Sequence, residues 1–518
     1  MSAVEALRDA GAVLAAVGLV AALDPIPRLP GRPGPRRAAG VVAALAGAFL
    51  MLGTLTPGHA IADRLRSPQG ALAALVGLAV LLALAVVGVR QVLRRPLIWF
   101  ALLALALPFR VPIALGGEDA SLLVPLYAVI GLGLLAWLIG RLRGTIAAEE
   151  DPHTPLDLPL AAFLAFLLVS TLWSADTHEA GVKAIFFYVP FTLLYLLVVA
   201  WWPRAKAAAG ALALVTVGLA LPVAALALVQ YASRDIFWNR TLQQANVYSR
   251  FFRVNGIFYD PNILGRFLVV ALLATLALAA LRSARRELAA LAGCGALMAA
   301  GLMVTFSRSS ALMLIVGLAM LAAWTFGLRR TATTVGAALA LALAVAVVTN
   351  GPVREALTSG DRLEKVSEGR FDLVRGGLTI WREAPIEGAG LGGFQTRFTE
   401  TLTPTQQART RVLISHNAPI TVLSEGGIIG FGLFAALLIA AALAIGRGNR
   451  ALGPAGFLRW TALAALTGIV IHSLLYSALF EDPYTWVLAG AAVALGLPRP
   501  GAAPAPAPEA STRPVPVP

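Results

Sequence analysis

Charged residues are scarce in this sequence. Only 13% of its 518 residues are Asp, Glu, Lys or Arg, whereas 58% are hydrophobic. A soluble protein carries roughly twice that charged fraction. Apolar segments of about 18 residues or more, each long enough to cross a hydrocarbon layer about 30 Å thick, recur along the chain. The composition therefore excludes an ordinary soluble domain and predicts a polytopic helical membrane protein.

Cysteine, histidine and metal-binding motifs are also sparse. Cys294 is the one cysteine, so the chain has no internal disulfide and no thiol-based metal site. The five histidines and the carboxylates lack ligand spacings such as HExxH. We therefore expect no metal and no other cofactor. The N-terminal MSAVEALRDAG lacks a basic n-region, so we also expect no cleavable signal peptide.

Fifteen apolar segments predict an all-α polytopic fold with about 12–15 transmembrane helices. They lie at 8–24, 39–55, 70–89, 96–115, 121–140, 158–174, 184–202, 207–231, 262–281, 288–305, 309–328, 331–350, 418–446, 456–480 and 484–497. The chain then divides into N-terminal transmembrane helices (1–157), core transmembrane helices (158–350), one large polar loop (351–417), C-terminal transmembrane helices (418–497) and a disordered Pro/Ala-rich tail (498–518).

The net charge of +14 predicts membrane orientation rather than nucleic-acid binding. Arginines cluster in alternate short loops, for example around Arg94, Arg285 and Arg329, whereas GGEDA, SADTHEAG and FEDPY in the other loops have none. Cytoplasmic loops carry the excess of Lys and Arg. We therefore expect a multi-pass protein of the plasma (inner) membrane, with a cytoplasmic C-terminus and with loops 232–261 and 351–417 in the periplasm.

Both long external loops are nevertheless basic, against the rule for short loops. An anionic ligand such as phosphate explains their arginines, and so do lipid headgroups. The first loop ends in RVNGIFYDPNILGRFL, where Asp260-Pro261-Asn262 predicts a helix start. Arg253 therefore lies beside a helix N-terminus, which favours anions. Arg266, about one turn further in, either binds the same ligand or extends to the headgroups.

A further arginine lies between two predicted membrane helices. Arg308 is part of TFSRSSAL, at the external end of the span 288–305. A guanidinium between apolar helices is costly unless it is paired. We expect its partner to be Glu425, Glu481 or a substrate phosphate.

The large loop contains a predicted helix at roughly 363–383 and a glycine-rich segment, IEGAGLGGF. Arg370 precedes the apolar face of this helix and Arg375 points away from it; the face itself is formed by Phe371, Val374, Leu378 and Trp381. This face is expected to lie on the helix bundle or on the membrane surface. The glycines suit a loop whose backbone approaches a ligand or another helix.

Ser415-His416-Asn417 stands where the chain returns to the membrane after the large loop. A neutral imidazole at that position can accept a proton from a hydroxyl group, although capping or packing is an equally open role. Glu425 follows about two turns deeper, and a carboxylate inside a membrane normally has a partner.

Five motifs, in this order, resemble the signatures of the O-antigen ligase / O-antigen polymerase superfamily of bacterial membrane glycosyltransferases. They are LWSADTHEAGVKAIFFYVPF, RVNGIFYDPNILGRFL, TFSRSSALML, GRFDLVRGGLTIWREAPIEGAGLGGF and SHNAPITVLSEGGIIGFGLF, and they cover about residues 160–445. The resemblance implies a GT-C-like bundle and a metal-independent enzyme. Such enzymes transfer a glycan from undecaprenyl diphosphate to an acceptor, which is lipid A–core in ligases and another lipid-linked glycan in polymerases.

The resemblance also implies roles for individual residues. Arg253 matches the arginine of the family's R-x-x-G-x-F-x-x-P-N motif and Arg370 the arginine that opens the loop helix, so both are expected to bind diphosphate. His416 matches the family's His-Asn histidine and is expected to activate the acceptor. The further substrate-binding candidates in this sequence are Arg308, Arg266, Arg375, Asn417 and Glu425. Membrane lipids are the remaining expected partner.

Two other classes of function stay open. A multi-helix transporter or flippase would place functional charges near the middle of the bilayer and would interrupt helices in repeat-related halves. A glycan polymerase of the kind that builds peptidoglycan would depend on a carboxylate, such as Glu425 or Asp482, rather than on His416.

Overall fold

The structure is a computed structural model that describes residues 2–25, 36–115, 118–147, 152–249, 251–334, 336, 370–403, 417–447, 453–476 and 478–497, except 56–67. The predicted span 331–350 falls almost wholly outside these ranges, and the tail 498–518 does so completely. The N-terminal helices are α1 (Ala3–Leu23), α2 (Arg36–Leu55), α3 (Pro68–Arg94), α4 (Leu97–Ala106), α5 (Val124–Leu142) and α6 (Asp157–Val169).

The remaining helices follow the order of the predicted spans. The core contains α7 (Thr177–Lys183), α8 (Val189–Trp201), α9 (Ala208–Ser233), α10 (Arg240–Val247), α11 (Pro261–Ala280), α12 (Arg285–Met303) and α13 (Arg308–Phe326). The C-terminal part contains α14 (Arg370–Glu383), α15 (Phe394–Thr401), α16 (Ala418–Gly446), α17 (Pro454–His472) and α18 (Pro483–Ala494).

Ten helices among the described residues are long and apolar enough to cross a membrane. Three shorter apolar helices, Leu97–Ala106, Asp157–Trp173 and Pro483–Ala494, accompany them. The predicted all-α polytopic membrane fold is therefore confirmed. Helix α11 packs against α9, α12, α13 and α17.

One β-hairpin departs from the all-α prediction. Strands β1 (Val111–Leu115) and β2 (Glu118–Leu122) pair antiparallel, with Val111 opposite Leu122. The helix within the span predicted at 96–115 therefore ends at Ala106. This helix has ten residues and is only about 15 Å long. The apolar residues that form β1 had suggested a longer helix.

Two other predicted spans have different ends. The span predicted at 184–202 starts earlier, because one helical run extends over Thr177–Arg204 and includes a π-helical turn at Ala184–Tyr188. The span predicted at 456–480 ends as a helix at His472. The apolar residues after His472 instead form an irregular segment that leads to α18. This early end matters, because it brings His472 and the following residues to the polar site described below.

Small residues set the closest helix contact, between α1 and α2. A Cβ atom on Gly18 would overlap the backbone of Ala44, and one on Gly40 would overlap the backbone of Ala22. Without a hydrophobic driving force between helices in lipid, such close backbone approach is a main source of helix association.

Five predicted external loops meet at one end of the bundle, here called the loop end. Arg253 contacts Thr305, and the amides of Ala418 and Ala175 donate to the carbonyls of Ser473 and Ala389. At the opposite end, Arg37 contacts Pro152 and Asp157 from another predicted cytoplasmic loop. The alternation predicted from loop charge therefore matches the grouping of these loops in the structure.

Candidate functional site

Arg253 is held in a defined orientation beside the start of α11. The Asp260 side chain caps this helix by accepting from the Asn262 amide at 2.6 Å. Arg253 Nη2 donates to Asn262 Oδ1 at 3.1 Å, and Arg253 Nε donates to the Thr305 carbonyl at 3.1 Å. The Asn246 side chain bonds both the amide and the carbonyl of Arg253. The guanidinium is therefore fixed by two segments of the chain, and the backbone of Arg253 is fixed by a third.

A hydrogen-bonded chain leads from this arginine into the bundle. Ser307 Oγ donates to Asn262 Oδ1 at 2.8 Å and lies 3.2 Å from Ser309 Oγ. Ser309 Oγ lies 3.0 Å from Nε2 of His472, which is fully buried. Nδ1 of His472 has no hydrogen-bond partner within the described part of the chain. His472 was not predicted as a site residue, because its span was expected to continue past it.

A second buried polar group surrounds Arg266. Arg266 Nε lies 2.6 Å from Asp482 Oδ2, and the two side chains are 3% and 4% exposed. Arg266 Nη1 also donates to the Ala478 carbonyl at 3.2 Å. Arg266 therefore does not extend along the surface to headgroups, which was one of its two expected roles. It is an internal ion pair that ties α11 to the segment before α18.

Arg110 adds a second guanidinium to this group and was missed in the sequence. It interacts electrostatically with both Asp482 and Arg266. Burial lowers the pKa of Arg110 below its ordinary value, and the negative charge of Asp482 opposes this shift. Burial also raises the pKa of Tyr476, whose ring lies 5.9 Å from the Arg266 guanidinium. Two guanidiniums sharing one carboxylate leave an excess positive charge, which favours an anion nearby.

The large loop returns to the bundle beside α17. Asn417 caps α16 by accepting from the Ile420 amide at 3.0 Å, and its Nδ2 donates to the Leu474 carbonyl at 3.1 Å. Asn417 is thus adjacent to the segment that follows His472. His416 precedes Asn417 by one residue but lies outside the described residues.

Helix α16 is interrupted directly after Glu425. Gly427 has φ 59° and ψ −161°, which breaks the helical ladder. The glycine segment of the large loop replaces the missing bonds: Ala389 and Gly390 donate their amides to the carbonyls of Ser424 and Glu425, both at 2.9 Å. A Cβ on Gly390, with φ 80°, would overlap the backbone of Ser174. The glycines therefore allow the backbone of the loop to lie close to a helix, which is one of the two roles predicted for them.

Glu425 has a partner that the sequence did not suggest. Lys183 Nζ lies 3.1 Å from Glu425 Oε1, and the two side chains are 16% and 5% exposed. Arg308 begins α13 and is exposed. Its expected partner, which is Glu425, Glu481 or a substrate phosphate, stays a prediction.

Helix α14 presents a different face to the protein from the one predicted. Among its residues from Leu373 onward, whose side chains the structure describes, the buried ones are Leu373, Gly376, Gly377 and Ile380, whereas Val374, Leu378 and Trp381 are half-buried. Gly376 lies against Phe398 of α15, and Gly377 lies against Ile420 of α16. The prediction followed large apolar side chains and therefore did not find this face, because two of its four buried residues are glycines. Arg375 is exposed, and the side chain of Arg370 lies outside the described residues.

Among the described residues, no group of three or more His, Cys, Asp or Glu side chains could hold a metal ion. The loop end instead combines guanidiniums, hydroxyl groups, amides, a buried imidazole and a lysine–glutamate pair. These groups can bind an anion and hydroxyl-rich molecules. Fold and site together define a multi-pass membrane protein with a polar site at the ends of its helices.

Residues 293–435 match the family model described as O-antigen ligase. The match extends from within α12 to within α16 and includes Arg308, Arg370, His416 and Glu425. It confirms the resemblance to the O-antigen ligase / polymerase superfamily that the motifs indicated, and it supports glycan transfer or polymerisation in general as the activity. A comparison with curated proteins finds no match.

Proposed function

We propose that this protein transfers or polymerises a glycan from undecaprenyl diphosphate onto an acceptor hydroxyl at the outer face of the plasma membrane. The observation that carries the proposal is the O-antigen ligase match at residues 293–435. The cationic loop end supports it, because the Arg253 guanidinium lies beside the N-terminus of α11 and the nearby Arg110 and Arg266 share one carboxylate. Guanidiniums bind phosphate groups well, and helix N-termini favour the same charge.

The proposed reaction forms one glycosidic bond and breaks one. The acceptor oxygen attacks the anomeric carbon of the donor sugar, and the bond from that carbon to the diphosphate oxygen breaks. The pair of electrons leaves with undecaprenyl diphosphate, whose developing charge Arg253 and Arg370 stabilise. His416 accepts the proton of the attacking hydroxyl. Arg308, Arg375 and Asn417 are proposed to contact the lipid-linked glycan around this centre.

A deletion strain of the source cell tests this proposal. Its surface polysaccharide and its undecaprenyl-linked glycans are analysed by gel electrophoresis and mass spectrometry after complementation with Arg253→Ala, Arg370→Ala or His416→Ala. We expect each variant to lose transfer. Arg240→Ala and Arg382→Ala, which change exposed arginines of the same two loops, serve as matched controls. Full transfer by all three site variants would refute the proposal.

The same analysis separates a ligase from a polymerase. Loss of a ligase leaves long glycans on undecaprenyl diphosphate, because polymerisation continues without an acceptor. Loss of a polymerase leaves single repeat units on the carrier or on the final acceptor. The length of the lipid-linked glycan in the deletion strain therefore assigns the branch.

One observation favours the alternative of a transporter. Interrupted helices with charged residues nearby are typical of transporters, and α16 is interrupted at Gly427 beside the Lys183–Glu425 pair. In this chain, however, backbone groups of the large loop fill the interruption, which leaves fewer carbonyls for an ion. Solute uptake by the purified protein in liposomes, without any glycan product, would support the transporter.

A further inference from the structure

A cavity of about 270 Å³ lies next to the arginine groups, between α7, α16 and the segment before α18. We call it the carboxylate cavity, because Glu179, Glu425 and Glu481 line it together with Lys183 and Tyr188. Its volume is close to the lower end of ordinary ligand pockets, about 300 Å³. It is separate from the network that orients Arg253.

The charges of the cavity are unbalanced. Lys183 Nζ is engaged by both oxygens of Glu425, at 3.1 and 3.5 Å. The side chains of Glu179 and Glu481 make no hydrogen bond and no ion pair of their own within the described residues. Three carboxylates and one ammonium give a formal excess of two negative charges. Such a cavity repels a diphosphate, and it offers several free hydrogen-bond acceptors to a neutral or cationic donor.

Tyr188 supplies an independent sign of a ligand. Its side chain is 5% exposed, lines the cavity and interacts electrostatically with all three glutamates. Its hydroxyl group has no hydrogen-bond partner in the described part of the chain. Buried polar groups are nearly always hydrogen-bonded. An unpartnered hydroxyl on a buried side chain that lines the cavity, beside unused carboxylates, therefore indicates that the cavity takes a polar molecule.

The local backbone is shaped to produce this arrangement. A π-helical turn at Ala184–Tyr188 follows Lys183, and π-helical spacing brings residues five apart onto one face of the helix. Lys183 and Tyr188 are five apart and both line the cavity. Isolated π-helical turns often occur at functional sites. Without the extra residue in this turn, the lysine and the tyrosine would diverge around the helix.

Aromatic side chains complete the wall. Phe187, Phe394 and Phe480 line the cavity beside the glutamates. A pyranose ring has hydroxyl groups at its rim and C–H groups on its faces, so it uses both kinds of lining group. A pocket that is largely apolar with a few polar groups is typical of small-molecule sites.

We propose that the carboxylate cavity binds one neutral or amino sugar ring of the acceptor glycan. Calling this sugar the acceptor rests on the proposed function; the binding of a sugar does not. Glu179 and Glu481 accept hydrogen bonds from its hydroxyl or ammonium groups, and the Tyr188 hydroxyl donates to a ring or hydroxyl oxygen. Lys183 holds Glu425 in place and reduces the net negative charge of the cavity.

The position of the cavity relative to the arginines supports this assignment. Ala478 lines the cavity, and its carbonyl accepts from Arg266. Glu481 lines the cavity, and its neighbour Asp482 pairs with Arg266. Residues 478–482 are therefore a shared wall, with an acidic cavity on one side and the buried arginines on the other. An anionic donor and a hydroxyl-bearing acceptor would be held next to each other across this segment.

Saturation-transfer NMR on the purified full-length protein in lipid nanodiscs tests the binding. The probes are D-glucose, D-galactose, D-mannose and D-glucosamine, with D-glucuronate as the anionic counterpart. We expect saturable binding of at least one neutral or amino sugar and none of glucuronate. Tyr188→Phe and Glu481→Gln, which remove no described hydrogen bond, should each weaken that binding roughly tenfold. Tyr248→Phe and Glu287→Gln change exposed residues elsewhere and should bind as the wild type does.

The outcomes separate this proposal from the proposed function. Absence of saturable binding of all four sugars, or equal binding by wild type and both cavity variants, overturns the cavity proposal whatever the transfer activity. Sugar binding that is lost in the cavity variants, in cells whose glycan transfer is intact, overturns the acceptor assignment. Undecaprenyl diphosphate binding, measured separately, should be unchanged in Tyr188→Phe, and a matching loss would contradict a sugar site that is separate from the arginines.

Discussion

The expected role of Arg253 depends on the direction of its hydrogen bonds as well as on its charge. Its guanidinium donates at two nitrogens, to Thr305 and to Asn262. A lysine keeps the charge but has a single nitrogen, so it cannot satisfy both groups in this geometry. The fixed plane of the guanidinium is therefore expected to matter for binding of diphosphate.

We predict that Arg253→Lys lowers glycan transfer roughly hundredfold, close to the effect of Arg253→Ala, since misplaced charge stabilises a transition state poorly. Transfer in isolated membranes with the cell's own lipid-linked glycans measures this effect. Arg240→Lys, in the same loop, is the control. Near-wild-type transfer by Arg253→Lys would show that charge alone suffices at this position.

The buried Arg266–Asp482 ion pair is expected to contribute mainly to the stability of the folded protein. Breaking a buried ion pair by removing one partner costs about 3–5 kcal/mol, because the other charge stays buried, and here Arg110 would lose the same counter-ion. We predict that Asp482→Asn clearly lowers the melting temperature of the purified protein in detergent. Glu287→Gln, which breaks the exposed pair with Arg282 at 3.7 Å, should change it little. Equal melting temperatures for the two variants would contradict this assignment.

Helix α16 and the glycine segment of the large loop form one structural unit. The interruption at Gly427 exposes backbone groups, and the large loop satisfies them through Pro385, Ala389 and Gly390. Because unsatisfied backbone groups are costly inside a membrane, the interruption and the loop require each other.

Gly427→Ala is predicted to destabilise the protein and to reduce glycan transfer. The backbone conformation at Gly427 is open almost only to glycine and costs roughly 1–3 kcal/mol for other residues, and a Cβ would overlap the Ile386 carbonyl. Gly432→Ala in the same helix, where a Cβ has nothing within 4 Å, is the matched control. Melting temperature and transfer are measured for both variants, and an unaffected Gly427→Ala would disprove the role of the interruption.

The orientation of the whole molecule follows from charge distribution. The structure groups the predicted external loops at one end of the bundle, and the positive-inside rule predicts which side of the membrane this end faces. In a Cys294→Ala background, Tyr248→Cys at the loop end should react with a membrane-impermeant maleimide in cells with a permeable outer membrane. Ser283→Cys, in the predicted cytoplasmic loop before α12, should react only after lysis. The reverse pattern would invert the topology and place the proposed site in the cytoplasm.

The class of fold and the position of most helices can be predicted from the amino-acid sequence. Transfer of an apolar segment into lipid depends on that segment's own composition, so each span is visible without knowledge of its neighbours. The charge of each short loop likewise depends only on its own residues, and it predicts which helix ends lie on the same side of the membrane. The main failures were also local: the hairpin after Ala106 and the end of α17 at His472 lie in apolar stretches that hydropathy alone extends into helices.

The pairing of charges, by contrast, depends on how the helices pack. Lys183 and Glu425 are 242 residues apart, and Arg266 meets Ala478 across 212 residues. Arg110 and His472 join the polar site only because their helices end beside it. In a medium of low dielectric, a buried charge needs a specific partner within a few ångströms, and helix packing sets such distances. The arginines and Glu425 could therefore be predicted as candidates, whereas the shared wall between a basic and an acidic site could not.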